Sequence, residues 1–267
     1  METKTERIEN SITVVVGGRN TGITTENKKH IARYIKDRKR NGRDYRVLII
    51  DFQDEYKGSR IKYEDLSSFS NKTVILGSLE MTTEERIDLI RKMCYDFTNG
   101  LLVIDNYFEL FKELRMADMI GLICCNRNKA LDVLLVCGDR LDKVNPKIME
   151  NCTYLRFHQY VKTPEKIKLL DMPDAYDVAL NVLSVQYKSS FEFIVLDKGN
   201  REIFGCTKQE FINGMKLYLT NRVNQIKTLR QLSALHFNFA VKYSERKHIP
   251  ISNIERKYLS ENNFLRK

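Results

Sequence analysis

The sequence predicts an α/β fold, a mostly parallel sheet with helices on both faces, and three observations carry that prediction. Short β-branched apolar runs alternate with longer stretches of helical periodicity. The first six runs are nearly continuous in hydrophobicity, as strands covered on both faces must be. The first of them, Ile12–Val16, enters the turn Gly17-Gly18-Arg19-Asn20-Thr21-Gly22, which opens directly into a helical pattern.

The predicted strands are Ile12–Val16, Arg46–Asp51, Thr73–Leu76, Leu101–Asp105, Asp132–Cys137 and Tyr154–Phe157. A helix from Thr24/Thr25 carries Ile31, Ala32 and Ile35 on one side and stops at Asn41-Gly42. A second opens with the capping box Thr82-x-x-Glu85 and continues through Ile87, Ile90 and Met93/Cys94. A third follows Asp105 through Phe108, Leu110, Phe111 and Leu114. The order β-α-β-β-α-β-α-β-α gives an open three-layer arrangement. Two further strands, Phe191–Leu196 and Glu202–Gly205, turn at Asp197-Lys198-Gly199-Asn200 and are expected as an antiparallel edge hairpin. From Gly205 a helical pattern runs to about Tyr243, with Ile212, Met215, Leu219, Val223, Ile226, Leu229 and Leu232 at three-or-four spacing. The expected division is residues 1–205 as the main domain, 206–247 as a helical appendage and 248–267 as a basic tail.

At 267 residues, 42% apolar and 30% charged, the chain has enough apolar material for a sizeable core. No apolar run reaches the roughly 18–20 residues that span a bilayer. The first residues, Met-Glu-Thr-Lys-Thr-Glu-Arg, are too polar for a secretory signal, so a soluble protein made in a cytoplasm is expected, with no membrane partner. The six cysteines (94, 124, 125, 137, 152 and 206) form no CxxC pair and no zinc spacing, and read as small core hydrophobes. The formal charge is +10, and from residue 216 onward eleven Lys/Arg face three Glu, a net +8. Such a basic region suits nucleic acid or an acidic protein surface; a solvated helical face is the plainer alternative.

Gly17 to Thr25 can be laid on G-x-x-x-x-G-K-[ST], with Gly17 and Gly22 on the glycines and Thr24 on the hydroxyl that holds Mg²⁺. A loop of this kind turns successive N–H groups toward one point at a helix N-terminus, where phosphate is favoured. The expected nucleotide-binding set is Gly17, Gly18, Arg19, Asn20, Thr21, Gly22, Ile23, Thr24 and Thr25, with ATP and Mg²⁺ as cofactors. The lysine position is occupied by Ile23, and Arg19 is the cation that would reach over the phosphates instead. A tight turn that binds nothing would show the same glycines.

A hydrolysing ATPase of this class also needs a carboxylate ending a buried strand, and Asp105 supplies it as metal ligand and catalytic residue. The following Asn106 has no basicity, and Glu109 lies a turn further on. The string Asp51-Phe-Gln-Asp-Glu55-Tyr56 ends another buried strand at the sheet edge where open α/β folds place their sites. Glu55 is the candidate general base; Asp51 is a candidate for the same crevice or for a simple cap.

The order of strand, phosphate loop and helix, then "VLIIDFQDEY", "GLLVIDNYFEL" and "NRNKALDVLLVCGDRLDKVNPKIMENCTYLRFH", resembles the FtsK/HerA group of P-loop ATPases over residues 10–205. It looks most like the zonula-occludens-toxin-like ATPases of bacteriophages, including crAss-like phages, whose second strand runs into an Asp-x-x-x-Glu-Tyr string. The resemblance implies a P-loop NTPase fold and a ring-forming motor on DNA, with an arginine in trans that Arg127 or Arg140 would supply. Three letters depart from the pattern: Ile23 for Lys, Asn106 for the water-activating Glu, and Cys137-Gly138-Asp139 where the sensor strand usually ends in Gln. Inovirus-type members also carry a membrane segment that is missing here.

The expected function is a phage ATPase-family protein for DNA packaging, translocation or virion assembly, in the host cytoplasm or virion, with weakened or absent hydrolysis. The alternative is an inactive P-loop module that binds a partner or builds the particle. A nucleotide kinase is disfavoured because no lid-like Arg cluster is present.

Overall fold

The computed structural model describes residues 10–105, 129–139, 141, 144–161, 173–186, 192–200, 202–225 and 242–243. These divide into two compact units: residues 10–15, 23–105, 129–138 and 144–153 form one, and the remaining described residues the other. The predicted helix through Phe108–Leu114, together with Asn106, Glu109, Cys124, Cys125, Arg127, Arg140 and the 248–267 tail, lies outside the described residues.

In the first unit the elements run β1 (Ile12–Val16), α1 (Ile23–Arg40), β2 (Arg46–Ile50), β3 (Ser59–Arg60), β4 (Lys72–Leu76), α2 (Thr83–Asp96), β5 (Gly100–Ile104), β6 (Leu131–Val136) and α3 (Pro146–Asn151). The strands pair in parallel in the order β1-β6-β5-β2-β4-β3. Register aligns Thr13, Leu134, Val103, Ile49 and Ile75 in one row, so a single layer of β-branched and leucine side chains covers one face. Ile31 and Tyr34 of α1 close that face with Val15, Val47, Leu101 and Val136. Each such side chain removed from water contributes about 1.5–3 kcal/mol, which is what holds α1 against the strands.

Polar groups fix the ends of these strands. Asp132 of β6 accepts from both the Ser11 backbone N–H and the Ser11 hydroxyl, each at 2.9 Å. The Arg46 guanidinium lies 4.7 Å from the Phe69 ring and 5.1 Å from the Phe97 ring, donating to the Thr98 and Leu66 carbonyls. Its pKa is lowered by burial. The Thr82–Glu85 capping box forms as the spacing predicts, with reciprocal bonds of 3.3 and 2.7 Å.

The second unit contains β7 (Tyr154–His158), α4 (Pro173–Ser184), β8 (Phe193–Asp197), β9 (Glu202–Phe204), α5 (Lys208–Gln225) and β10 (Lys242–Tyr243). β7 pairs antiparallel with β8, and β8 with β9. The hairpin turn is closed by the Asp197 carboxylate, which accepts from the Asn200 backbone N–H at 3.0 Å and its side-chain amide at 3.1 Å. α4 and α5 pack closely at Gly214, where a Cβ would meet the Val182 Cα at 2.5 Å.

Two expectations are corrected here. The helical pattern from Gly205 to Tyr243 yields α5 over Lys208–Gln225, but Lys242–Tyr243 is a short strand parallel to β9. Backbone pairing to an adjacent strand outweighs the sequence periodicity at those two residues. The buried face of α5 is Phe211, Met215, Tyr218 and Leu219, whereas Ile212 is half-buried. Cys137 and Cys152 are buried thiols outside any disulfide, as core hydrophobes should be, and Cys206 is half-buried.

Candidate functional site

The loop from Gly17 to Thr25 is shared by the two units, joined through the Gly22–Ile23 peptide bond. Its first half belongs to the second unit. The Gly18 N–H donates to the Gln159 carbonyl at 2.9 Å. The Thr21 hydroxyl donates back to the Gly18 carbonyl at 2.8 Å and is buried. His158 Nδ1 lies 3.0 Å from the Thr21 carbonyl oxygen, which only accepts, so the proton sits on Nδ1. Asn20 at φ 61° and Gly22 at φ 77° take the left-handed region, bending the chain sharply enough to start α1. Arg19 and Asn20 form the exposed tip of this turn.

The second half begins α1 in the first unit. The Ile23 side chain is half-buried and packs against the core layer beneath α1. Thr24 is half-buried and donates from its hydroxyl to the Glu55 carboxylate at 2.5 Å. Thr25 is exposed. One turn on, Glu26 is buried and paired with Arg33 at 2.6 Å and Lys29 at 3.2 Å.

Glu55 arrives through a loop that Asp51 organises. The Asp51 carboxylate, 1% exposed, accepts from the Gln53 N–H at 3.0 Å and the Tyr56 N–H at 2.9 Å. It is therefore the cap that shapes residues 52–56, and β2 ends at Ile50 rather than at Asp51. Glu55 is exposed, while Tyr56 is 4% exposed and belongs to the core layer. The Tyr56 hydroxyl receives Asn27 Nδ2 at 3.1 Å and donates to Asp105. Burial first, then the Asp105 charge, push the Tyr56 phenol well above its ordinary value. Lys28 of α1 donates to the Glu55 carbonyl at 3.0 Å, its ammonium 5.4 Å from the Tyr56 ring centre.

The first unit thus forms two pairs, Thr24 with Glu55 and Tyr56 with Asp105. Gly17, Gly18, Arg19, Asn20, Thr21 and Gly22 stand in the second unit with Gln159 and His158. Asn27, Tyr56, Lys28 and His158 were absent from the sequence-derived set. Tyr56 was in view as the last letter of the Asp-to-Tyr string, and His158 ends a strand that carries Arg156 two residues earlier. Nothing in local spacing marks Asn27.

The hydroxyl of Thr24 and the carboxylates of Glu55 and Asp105 are hard oxygen donors of the kind Mg²⁺ accepts. Among the described residues no group of three or more His, Cys, Asp or Glu gathers to hold a metal by itself. A cation here would share phosphate oxygens and water, as Mg²⁺ bound with a nucleotide does. Thr24 and Glu55 offer oxygens of that kind side by side, and Ile23 puts no charge where the loop lysine would stand.

No family model matches the chain, and no curated protein matches it. Solved structures do. The genome packaging NTPase B204 from Sulfolobus turreted icosahedral virus 2, in complex with ATP-gammaS, superposes with TM-score 0.53 at 17% identity, over 73% of this chain and 95% of that one. B204 from Sulfolobus turreted icosahedral virus, described as the DNA-packaging ATPase, gives 0.52 at 16% over 73% and 96%. The complex of the former with AMPPCP gives 0.52 at 17% over 73% and 95%. At this identity the likeness is one of fold: the chain has the α/β fold of P-loop NTPases, a mostly parallel sheet with an antiparallel hairpin.

Proposed function

We propose that this chain is a viral P-loop ATPase-family protein that binds Mg²⁺-nucleotide and acts in genome packaging or virion assembly, with weakened hydrolysis. The observation that carries the reading is the Thr24–Glu55 hydrogen bond at the start of α1, with Asp105 held by the neighbouring Tyr56 at the end of β5. That is where a phosphate loop needs its metal shell. Gly17–Gly22 would cradle phosphate with backbone N–H groups, and Thr24 and Asp105 would hold the cation, which neutralises charge on the phosphates. Arg19, exposed on the loop tip, would supply the positive charge that Ile23 does not. Glu55 would orient water from its place beside Thr24.

The likeness to viral packaging NTPases supports the packaging setting, and the Asp51–Tyr56 string supports the FtsK/HerA type. On this reading the protein works in the host cytoplasm or the virion, as a ring, with its basic C-terminal region on DNA or an acidic partner protein. The second reading, an inactive structural or partner-binding module, is favoured by one observation: the lysine position holds Ile23, half-buried against the core layer and without charge. Steady-state ATP hydrolysis with and without DNA, beside Asp105→Asn, separates the two. DNA-stimulated turnover lost in Asp105→Asn supports the ATPase, and turnover that survives the substitution, or none at all, supports the inactive module.

A further inference from the structure

Tyr160 is 69% exposed, among the largest exposures of any apolar or aromatic side chain in the described residues, yet its backbone is tightly specified. It sits in the left-handed region at φ 62°, where a residue with a Cβ is strained. The preceding Gln159 is pinned on both sides. Its carbonyl accepts from the Gly18 N–H at 2.9 Å, and its amide reaches the Leu183 and Gln186 carbonyls at 3.3 and 3.4 Å. Gln186 is in turn anchored on the Gly205 carbonyl at 2.8 Å.

Gly18 explains what the strain secures. A Cβ there would stand 2.8 Å from the Tyr160 Cβ and 3.4 Å from its ring, so the loop keeps a glycine to let this tyrosine lie against it. A glycine, a left-handed tyrosine and a three-bond anchor together hold an aromatic face in solvent, directly on the phosphate loop. Ordinary surface tyrosines need none of these.

We infer that Tyr160 is the base-stacking platform for the nucleotide whose phosphates occupy the loop, an inference that rests on the proposed nucleotide binding and specifies its base subsite. A π-face accepts any base, so the platform confers affinity for nucleotides over bare phosphate chains and little choice among purines.

The chain contains no tryptophan, so Tyr160→Trp in the full chain is a single fluorescent reporter at this spot. Mg²⁺-ATP should quench its emission, and Mg²⁺-tripolyphosphate should not. In calorimetry Tyr160→Ala should weaken ATP binding about tenfold and leave tripolyphosphate binding unchanged, with Tyr160→Phe close to wild type. ATP binding by Tyr160→Ala as tight as by wild type overturns the platform. Wild type that binds tripolyphosphate as tightly as ATP also overturns it, while leaving phosphate binding intact. Wild type that binds neither removes the nucleotide reading and the platform with it.

Discussion

Glu55 and Tyr56 are neighbours in the chain, and the loop sends them to opposite environments. Glu55, exposed, meets the half-buried Thr24 hydroxyl, an interaction worth about 0.5 kcal/mol to stability. Thr24→Val is therefore expected to leave the melting temperature almost unchanged and to weaken Mg²⁺-nucleotide binding at least tenfold, read by calorimetry with and without Mg²⁺. Tyr56 is buried between Asn27 and Asp105, and Tyr56→Phe removes the hydroxyl that both use. A loss of about 1–3 kcal/mol in urea unfolding is expected. The pH dependence has a definite sign. The folded phenol titrates above the ordinary value of 10.0, so its contribution is complete below pH 10 and is lost as pH rises beyond it. Wild type should lose stability from pH 10 upward more steeply than Tyr56→Phe; parallel curves would show that the phenol is not held in its neutral form. At this scale the sequence was legible where chemistry is local. The Asp51-to-Tyr56 string is one loop, tied by the Asp51 carboxylate to the Gln53 and Tyr56 N–H groups. The pairs Asn27–Tyr56 and Thr21–His158 join residues 29 and 137 positions apart, and only the fold makes them neighbours.

Secondary structure was read from two signals, and each has a limit. Hydrophobic runs located β1, β2, β4, β5, β6 and β7 to within a residue, because these strands are buried and mostly apolar. β3, two exposed residues with no apolar side chain, has no such signal. Capping chemistry located α2, and the same Thr-x-x-Glu spacing at Thr207–Glu210 closes the start of α5 with bonds of 2.7 and 3.2 Å, a signal the periodicity reading passed over. Thr82→Ala should cost about 1 kcal/mol in chemical denaturation. Gly214→Ala tests the packing of α4 on α5. The new methyl would collide with Val182 backbone, and a loss of about 1–3 kcal/mol is expected, against a smaller loss for Gly199→Ala, where the nearest atom is the Asp197 Oδ1 at 3.5 Å. Equal losses at the two glycines would contradict the close approach of the helices.

The charge distribution belongs to the whole molecule. Residues 216–267 carry a net +8, but Tyr218 and Leu219 within that stretch are buried in the second unit. Removing it at 216 would damage the core together with the charge. Truncation after Gln225 leaves α5 whole and still removes nine Lys/Arg and three Glu, a net +6. If the basic region binds DNA through phosphates, that truncation should flatten the salt dependence of binding; an unchanged slope would show the charge to be incidental. No helix among the described residues is long and apolar enough to cross a membrane. The proposed function requires that a loop without its lysine still bind nucleotide through its backbone donors and Arg19, with Thr24 and Asp105 proposed for the cation. Calorimetric titration of Mg²⁺-ATP into the full-length protein beside Arg19→Ala tests it most directly. Saturable one-site binding that Arg19→Ala weakens at least tenfold is the predicted result. No heat of binding in wild type, or an affinity indifferent to Arg19, would contradict the account.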